Sequence, residues 1–240
     1  MRNTLINISI TKKAVLSLAT LVSFCLIFAV SCNNGQAPSG ALPTWKIGDT
    51  WTTRASLNGQ DYCTNVDTMI GEQVFNGIDC YTVTTQSNYT TISDIYTGTK
   101  VVDKTTLQTI GFEYSINEDE TALTETLNMS YNYSVKPYPL RVGKTWVATV
   151  NTTITQGQMS QSQTTNETDS YFYKVEKVES ITVPAGTFQC FKIVTYNNST
   201  NAVVNTAWVT DVTGAGGYAV KGIDNMNGIT SELISYSLSE

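Results

Sequence analysis

Residues 178–208, VESITVPAGTFQCFKIVTYNNSTNAVVNTAW, hold three short segments of alternating apolar and polar residues. Pro184-Ala185-Gly186 separates the first segment from the second, and Asn197-Asn198 separates the second from the third. Alternation at period two places one set of side chains on each face of a strand, while proline and glycine end a strand and reverse the chain. The stretch therefore predicts an antiparallel β-meander.

The same pattern continues toward the N terminus. Residues 51–57 alternate and then meet Asn58-Gly59, a strong hairpin signal because both residues accept positive φ. After residue 30, no segment keeps apolar residues at helical spacing through three turns, and the turn spacing predicts about twelve to fourteen short strands. We therefore expect an all-β protein, a curved antiparallel sheet or half-barrel, in which closure or curling limits exposed edges.

Two motifs occur twice, in the same order. Lys46–Trp51 (KIGDTW) recurs as Arg141–Trp146 (RVGKTW), and Gly77–Val83 is echoed by Gly186–Ile193. The repetition predicts two similar halves, residues 43–136 and 137–240. Whether they form one barrel or two domains stays open at this level.

The N-terminal 31 residues have the three parts of a secretory signal. Arg2, Lys12 and Lys13 precede the apolar stretch 14–30, and small residues precede Cys32. Residues 28–32, FAVSC, resemble the lipobox of bacterial lipoproteins, which implies a diacylglycerol thioether on Cys32 and cleavage after residue 31. Residues 32–42 then form a lipidated cysteine and a flexible tether. We expect an extracytoplasmic protein, periplasmic or at the cell surface, whose partner is the membrane that holds this lipid.

Composition excludes several functions. The chain has 240 residues with 14 basic and 20 acidic side chains, and removal of the leader takes three basic residues and no acidic one, which leaves a formal charge of −9. This charge disfavours nucleic acid and anionic lipid head groups as partners. Histidine is absent, so Ser-His-Asp triads, Cys-His pairs and histidine metal sites are excluded. We expect no catalytic residues, no metal and no cofactor.

A family resemblance rests on the second copy of the motifs. Residues 139–146, PLRVGKTW, with residues 183–193, VPAGTFQCFKI, and a closing segment at 217–221, GYAVK, resemble the signature of TapB-like envelope proteins. The resemblance covers residues 137–222. It implies a fold like the open β half-barrel of periplasmic lipoprotein carriers, and it implies no chemistry.

Aromatic residues are the candidates for a binding site. Trp51 and Trp146 occupy matched positions, and together with Trp208 they either anchor the core or line an apolar cavity for an acyl chain or other apolar ligand. Tyr131 and Tyr133, like Tyr171 and Tyr173, alternate at period two, so each pair projects from one face of a strand. Such a ladder either packs across strands or forms a platform for sugars.

Three cysteines remain in the body once Cys32 carries lipid. An oxidising compartment favours a Cys63–Cys80 disulfide first and a Cys80–Cys190 disulfide second. The resulting hypothesis is a non-catalytic, lipid-anchored envelope protein that binds an apolar ligand or lipid. The alternative is a structural or adhesive surface module that binds glycan or protein.

Overall fold

The structure is a computed structural model that describes residues 37–90, 95–118, 121–158, 161–210 and 219–239. The leader and Cys32 lie outside these residues. The described chain folds into twelve strands: β1 Thr50–Leu57, β2 Gln60–Phe75, β3 Ile78–Tyr89, β4 Ile95–Asp103, β5 Thr109–Glu118, β6 Thr121–Tyr133, β7 Thr145–Gln158, β8 Gln161–Val183, β9 Gly186–Asn197, β10 Val203–Val209, β11 Ala219–Asp224 and β12 Ile229–Ser237.

Every strand pairs antiparallel with the next, and β1 pairs with β12. The closing pair runs from Thr50 opposite Ser237 to Leu57 opposite Ile229. The predicted all-β antiparallel class is confirmed, and the curved sheet closes completely into one barrel. Because the strands run alternately up and down, all odd-to-even connections meet at one end and all even-to-odd connections at the other.

We name the two ends by their described connections. The proximal end, where the chain enters, contains residues 37–49, 76–77, 104–108, 134–144, 184–185 and 238–239. The distal end contains residues 58–59, 198–202 and 225–228.

The two halves of the barrel repeat the same hydrogen bonds. Before β1, the amide of Gly48 donates to the Met69 carbonyl at 2.8 Å, and the Met69 amide donates to the Asp49 carbonyl at 2.9 Å. Before β7, the amide of Gly143 donates to Val175 at 2.9 Å, and the Val175 amide donates to Lys144 at 2.9 Å. Both glycines have positive φ, +95° and +83°.

Register shifts also recur at matching places. The β2–β3 register shifts between Met69 and Gly71, and the β8–β9 register shifts between Val175 and Lys177. The β4–β5 and β10–β11 pairs shift next to Val101 and Trp208 in the same way. A bulge bends its strand and increases its twist, so each half curves at the same two points. The barrel is therefore built from β1–β6 and β7–β12 as equivalent units.

Aromatic packing closes the proximal end. Trp45 lies against Trp51 and Tyr81, with ring centroids 5.1 Å apart in both pairs, and all three are buried. The turn of hairpin β8–β9 bends across to β12, where the Ala185 amide donates to the Leu233 carbonyl at 3.2 Å. We call Trp45, Trp51 and Tyr81 the proximal plug, and the apolar core continues from this plug into the barrel.

Part of the predicted tether packs on the barrel. Pro38 and Gly40 are buried, and the Leu140 amide donates to the Gly40 carbonyl at 2.7 Å. A backbone this close requires glycine at position 40, since a Cβ there would lie 1.9 Å from the Leu140 oxygen. Residues 38–42, expected to be flexible, therefore begin the folded body.

Within the described residues, no helix is long and apolar enough to cross a membrane.

Candidate ligand cavity

The second half of the barrel encloses a cavity of about 120 Å³. It lies between β6 and β11, above the proximal loops. Most of its wall comes from inward-facing residues of these strands: Tyr131, Trp146, Val150, Tyr171, Tyr173, Ile193, Thr195, Asn205, Ala207, Gly222 and Asp224.

The cavity exists because the second half uses smaller residues at positions that the first half fills. The repeat and the matched register shifts define the equivalent positions. The pairs, first half before second, are Trp45 and Leu140, Lys100 and Ala207, and Phe112 and Gly222. All three smaller residues line the cavity, whereas Trp45, Lys100 and Phe112 are buried in the first half. Unfilled volume remains only where neighbouring side chains cannot collapse onto it, and the closed sheet holds this wall apart.

One wall of the cavity is aromatic. Trp146 and Tyr173 stack with centroids 5.0 Å apart and planes 5° from parallel, and Tyr131 stacks on Tyr133 at 5.7 Å. Burial raises the pKa of Tyr171 to about 12 and raises the pKa of Tyr173 further. Both phenols therefore stay neutral, so the wall offers flat, uncharged surfaces.

The polar part of the wall is small. Asn205 is 5% exposed, and its Oδ1 has no hydrogen-bond partner within the described part of the chain. The Asp224 carboxylate instead belongs to the β11–β12 turn, where it accepts from the amides of Met226 and Asn227 at 2.8 and 3.0 Å. Asn205 thus adds to a mostly apolar lining an amide side chain whose oxygen is buried without a partner among the described residues.

The mouth of the cavity lies at the distal end. Among its lining residues only Met226 is exposed, with 64% of its surface accessible, and it sits in the β11–β12 turn. At the opposite end the buried residues Pro137 and Leu140 form the floor. A ligand would enter from the side opposite the N terminus.

The three tryptophans predicted as cavity lining occupy three different environments. Trp146 lines the cavity. Trp51 is fully buried in the proximal plug, at the equivalent position of the first half. Trp208 projects from the outer face of β10, where its Nε1 donates to Glu179 Oε1 at 2.8 Å. The structure adds Asn205, for which the sequence gives no signal beyond a place on the same strand face as Ala207 and Val209.

The tyrosine ladder faces inward. Tyr131, Tyr133 and Tyr173 pack against the core or the cavity, so they form no platform on the outer surface. The outer face of β7 and β8 instead carries threonine and asparagine side chains that bond across the strands, as between Thr153 and Asn166 at 2.8 Å.

The expected Cys63–Cys80 disulfide is wrong. Cys63 lies opposite Tyr89 and Cys80 opposite Gln73, so the two residues are at opposite ends of hairpin β2–β3. Nine residues of strand span about 30 Å, whereas a disulfide needs Cα atoms within about 7 Å. Sequence proximity in a hairpin suggested the pair, but register decides it. Cys63, Cys80 and Cys190 are all buried thiols.

The first half holds a buried ion pair where the second half has space. Lys100 Nζ lies 2.9 Å from both carboxylate oxygens of Asp67, and Thr85 also donates to this carboxylate. Both charged side chains are almost fully buried, at 4% and 1% exposure. The pair faces the barrel interior, where each of the two charges is balanced by the other.

Among the described residues, no group of three or more cysteine, aspartate or glutamate side chains is placed to hold a metal ion.

The fold and cavity define the molecule as a closed twelve-stranded antiparallel barrel with an internal apolar pocket. A family model described as DUF3108-like matches residues 128–213, less than half of the chain. This match covers most of the segment for which we expected a TapB-like family, but it does not confirm that family.

Two solved structures are similar to the chain. One is a protein from Bacteroides fragilis, inferred to be exported and described with a YmcC-like fold, with 10% identity, a TM-score of 0.40, and coverage of 82% of this chain and 99% of that chain. The other is a protein from Parabacteroides distasonis, inferred to be a lipoprotein, with 12% identity, a TM-score of 0.38, and coverage of 84% and 100%. No curated protein matches the chain.

Proposed function

We propose that the protein is a non-catalytic, lipid-anchored protein of the cell envelope that binds a small apolar ligand inside its barrel. The observation that carries the proposal is the cavity in the second half, lined by Trp146, Tyr171 and Tyr173. Ligand sites are typically concave and mostly apolar, with a few placed polar groups, and this cavity has that composition.

The size of the cavity limits the ligand. An engineered protein cavity of about 150 Å³ binds benzene, so a volume of about 120 Å³ accepts a single ring or a short chain segment. A whole acyl chain would not fit without displacement of the wall. The unoccupied Asn205 acceptor favours a ligand that carries one O–H or N–H donor.

The lipid anchor is supported by the signal-like leader and the lipobox-like residues 28–32. A non-catalytic role is supported by the lack of histidine and by the chemistry of the wall. The phenols of Tyr171 and Tyr173 are held neutral, and the one carboxylate of the lining, Asp224, is engaged by a turn. Such groups orient a ligand but are poorly suited to proton transfer near neutral pH.

The test is a binding measurement with two matched probes, p-cresol and toluene, by calorimetry on the purified protein. We expect both to bind, with p-cresol preferred about tenfold because its hydroxyl donates to Asn205. An Asn205→Leu variant should lose the preference and retain toluene. The proposal fails if neither probe binds.

A matched pair of variants locates the site. Ala207→Leu places a larger side chain in the cavity and should abolish binding of both probes, whereas Ala202→Leu, in the exposed distal loop, should leave binding unchanged. Binding that survives Ala207→Leu would place the probes elsewhere.

A further inference from the structure

We infer that the proximal end of the barrel is a membrane-docking surface, in which the two copies of the repeated turn, Lys46-Ile47 and Arg141-Val142, rest on an anionic bilayer. The inference uses the lipid anchor of the proposed function only to supply the bilayer. It is independent of the cavity.

The repeated motif exposes an apolar side chain in both halves. Ile47 is 65% exposed and Val142 is 55% exposed, each between a basic residue and a glycine of positive φ. The turn geometry requires the glycine, and the strand requires the tryptophan that follows, but neither requires an apolar residue facing solvent. An apolar residue at both equivalent positions indicates a shared partner.

The surroundings of these turns are apolar as well. Nine large apolar side chains are exposed in the described part of the chain, and seven of them lie at the proximal end or on the strand ends next to it: Leu42, Ile47, Ile70, Val74, Ile78, Val135 and Val142. The other two, Val203 and Met226, are distal. Exposed apolar side chains grouped at one end mark an interaction surface.

In the described loops of this end, charge has the sign opposite to that of the whole chain. The described proximal loops carry Lys46, Lys104, Lys136, Arg141 and Lys144, and their one carboxylate, Asp49, is buried and accepts from two backbone amides. Lys104 pairs with Glu72 of the adjacent hairpin, which also carries Asp79. The other four basic side chains form no ion pair with any described residue.

This distribution changes the conclusion drawn from net charge. A formal charge of −9 disfavours anionic lipid on average, yet basic groups within a Debye length of the surface dominate the local interaction. Basic side chains beside exposed aliphatic ones form the combination that binds an anionic membrane interface.

The position of the N terminus selects the membrane as the occupant. Residues 37–42 lie on the proximal end, and five residues of chain from Cys32 to Ala37 span at most about 18 Å. A lipid on Cys32 therefore holds this end close to its own bilayer, so docking costs little additional ordering.

Introduced cysteines test the docking. Because Cys63, Cys80 and Cys190 are buried, a nitroxide label on an Ile47→Cys or Val142→Cys variant reports that site alone, and wild type controls for background. Val203→Cys and Met226→Cys are the distal controls. The full-length protein, matured and purified from cells, is reconstituted in vesicles of phosphatidylethanolamine with phosphatidylglycerol or of phosphatidylcholine alone.

In the anionic vesicles, labels at 47 and 142 should be shielded from a water-soluble nickel relaxant and reached by oxygen, while the distal labels stay in water. Adding Lys46→Gln and Arg141→Gln should lower the ratio of docked to undocked protein about 30-fold. Proximal labels as water-accessible as the distal ones, or equally inserted in phosphatidylcholine, would overturn the proposal.

Separate measurements distinguish a missing lipid anchor from a proximal surface that does not bind the membrane. The intact mass of the same preparation shows whether Cys32 is acylated. If it is not, co-sedimentation of the protein with the anionic vesicles tests the surface by itself, and lack of co-sedimentation counts against it. Probe binding in the cavity is measured separately, in solution.

Discussion

Lys100 and Asp67 make the interior of the first half polar, and their burial makes each dependent on the other. Removing one partner of a buried ion pair leaves an uncompensated charge, so Lys100→Met should lower the free energy of unfolding by about 3–5 kcal/mol. Urea denaturation of wild type and variant measures the change.

Two further variants show whether the loss of stability in Lys100→Met comes from a buried, uncompensated charge. Lys104→Met removes the partly exposed pair with Glu72 and should cost less than about 1 kcal/mol. The double variant Asp67→Leu/Lys100→Met should recover part of the loss, because no charge is then left buried. If Lys100→Met is as mild as Lys104→Met, the pair is not desolvated as described.

The Cys80 thiol should make stability fall at high pH. Burial, followed by the nearby Asp103 carboxylate, raises its pKa from 9.0 to about 11. The Cys80 thiol of the unfolded chain then loses its proton near pH 9, while the thiol of the folded chain keeps it. The contribution of Cys80 to the free energy of unfolding is therefore complete below pH 9 and is lost as pH rises toward 11. Urea unfolding across this range should show a shallower decline for Cys80→Ala than for wild type, and equal slopes would refute the assignment.

For single residues, the sequence indicates which positions are equivalent better than it indicates what surrounds each side chain. Matched motifs predicted that Trp51 and Trp146 are equivalent, but Trp146 stacks on Tyr173, its register partner, whereas Trp51 packs on Trp45 of the N-terminal loop. The place of the cavity could not be predicted, because it depends on three residues smaller than their first-half counterparts, Leu140, Ala207 and Gly222, that come together only when β6 to β11 curve around them.

The N-terminal segment 37–49 is an element without regular secondary structure that nevertheless belongs to the folded body. Gly40→Ala would force a Cβ against the Leu140 carbonyl, whereas Gly59→Ala, at nearly the same φ, meets nothing within 4 Å. Both variants bear the cost of a left-handed alanine, about 1–2 kcal/mol. The difference between the two variants therefore reports the close contact at position 40 alone.

Hydrogen exchange of the Leu140 amide measures this contact. That amide donates to the Gly40 carbonyl, so its protection should fall about tenfold or more in Gly40→Ala and stay near wild type in Gly59→Ala. Unchanged protection in both variants would show that residues 37–42 are not held by the barrel.

Turn chemistry made the hairpins predictable. Asn58 and Gly59 adopt φ of 51° and 81°, as the hairpin signal requires, and Pro184-Ala185-Gly186 joins β8 to β9. The length and bending of β2 and β8 were not predictable, because their bulges follow from pairing with β3 and β9 and leave no local mark in the sequence. The failed Cys63–Cys80 pairing has the same cause.

For the whole molecule, closure follows from the pairing of the first and last strands, which lie almost the full length of the chain apart. Alternation and turns establish a meander, but they do not specify how many strands complete the circle. Net charge likewise gives an average, whereas the up-and-down topology gathers basic loops at the proximal end and places the cavity mouth at the distal end.

These two ends give the proposed roles a common geometry. A lipid on Cys32 and the turns at Ile47 and Val142 would hold the proximal end on a membrane, so the mouth beside Met226 would face away from that membrane. A ligand would then be taken from the aqueous side of the envelope rather than drawn from the anchoring bilayer.

Ligand binding inside the barrel is tested by a crystal structure of the protein soaked with 4-iodophenol, because iodine is located by its anomalous scattering. We predict an iodine peak inside the second half of the barrel, beside Trp146 and Tyr173, with the phenol oxygen within hydrogen-bond distance of the Asn205 side chain. An empty cavity, or iodine found only on the outer surface, would contradict it.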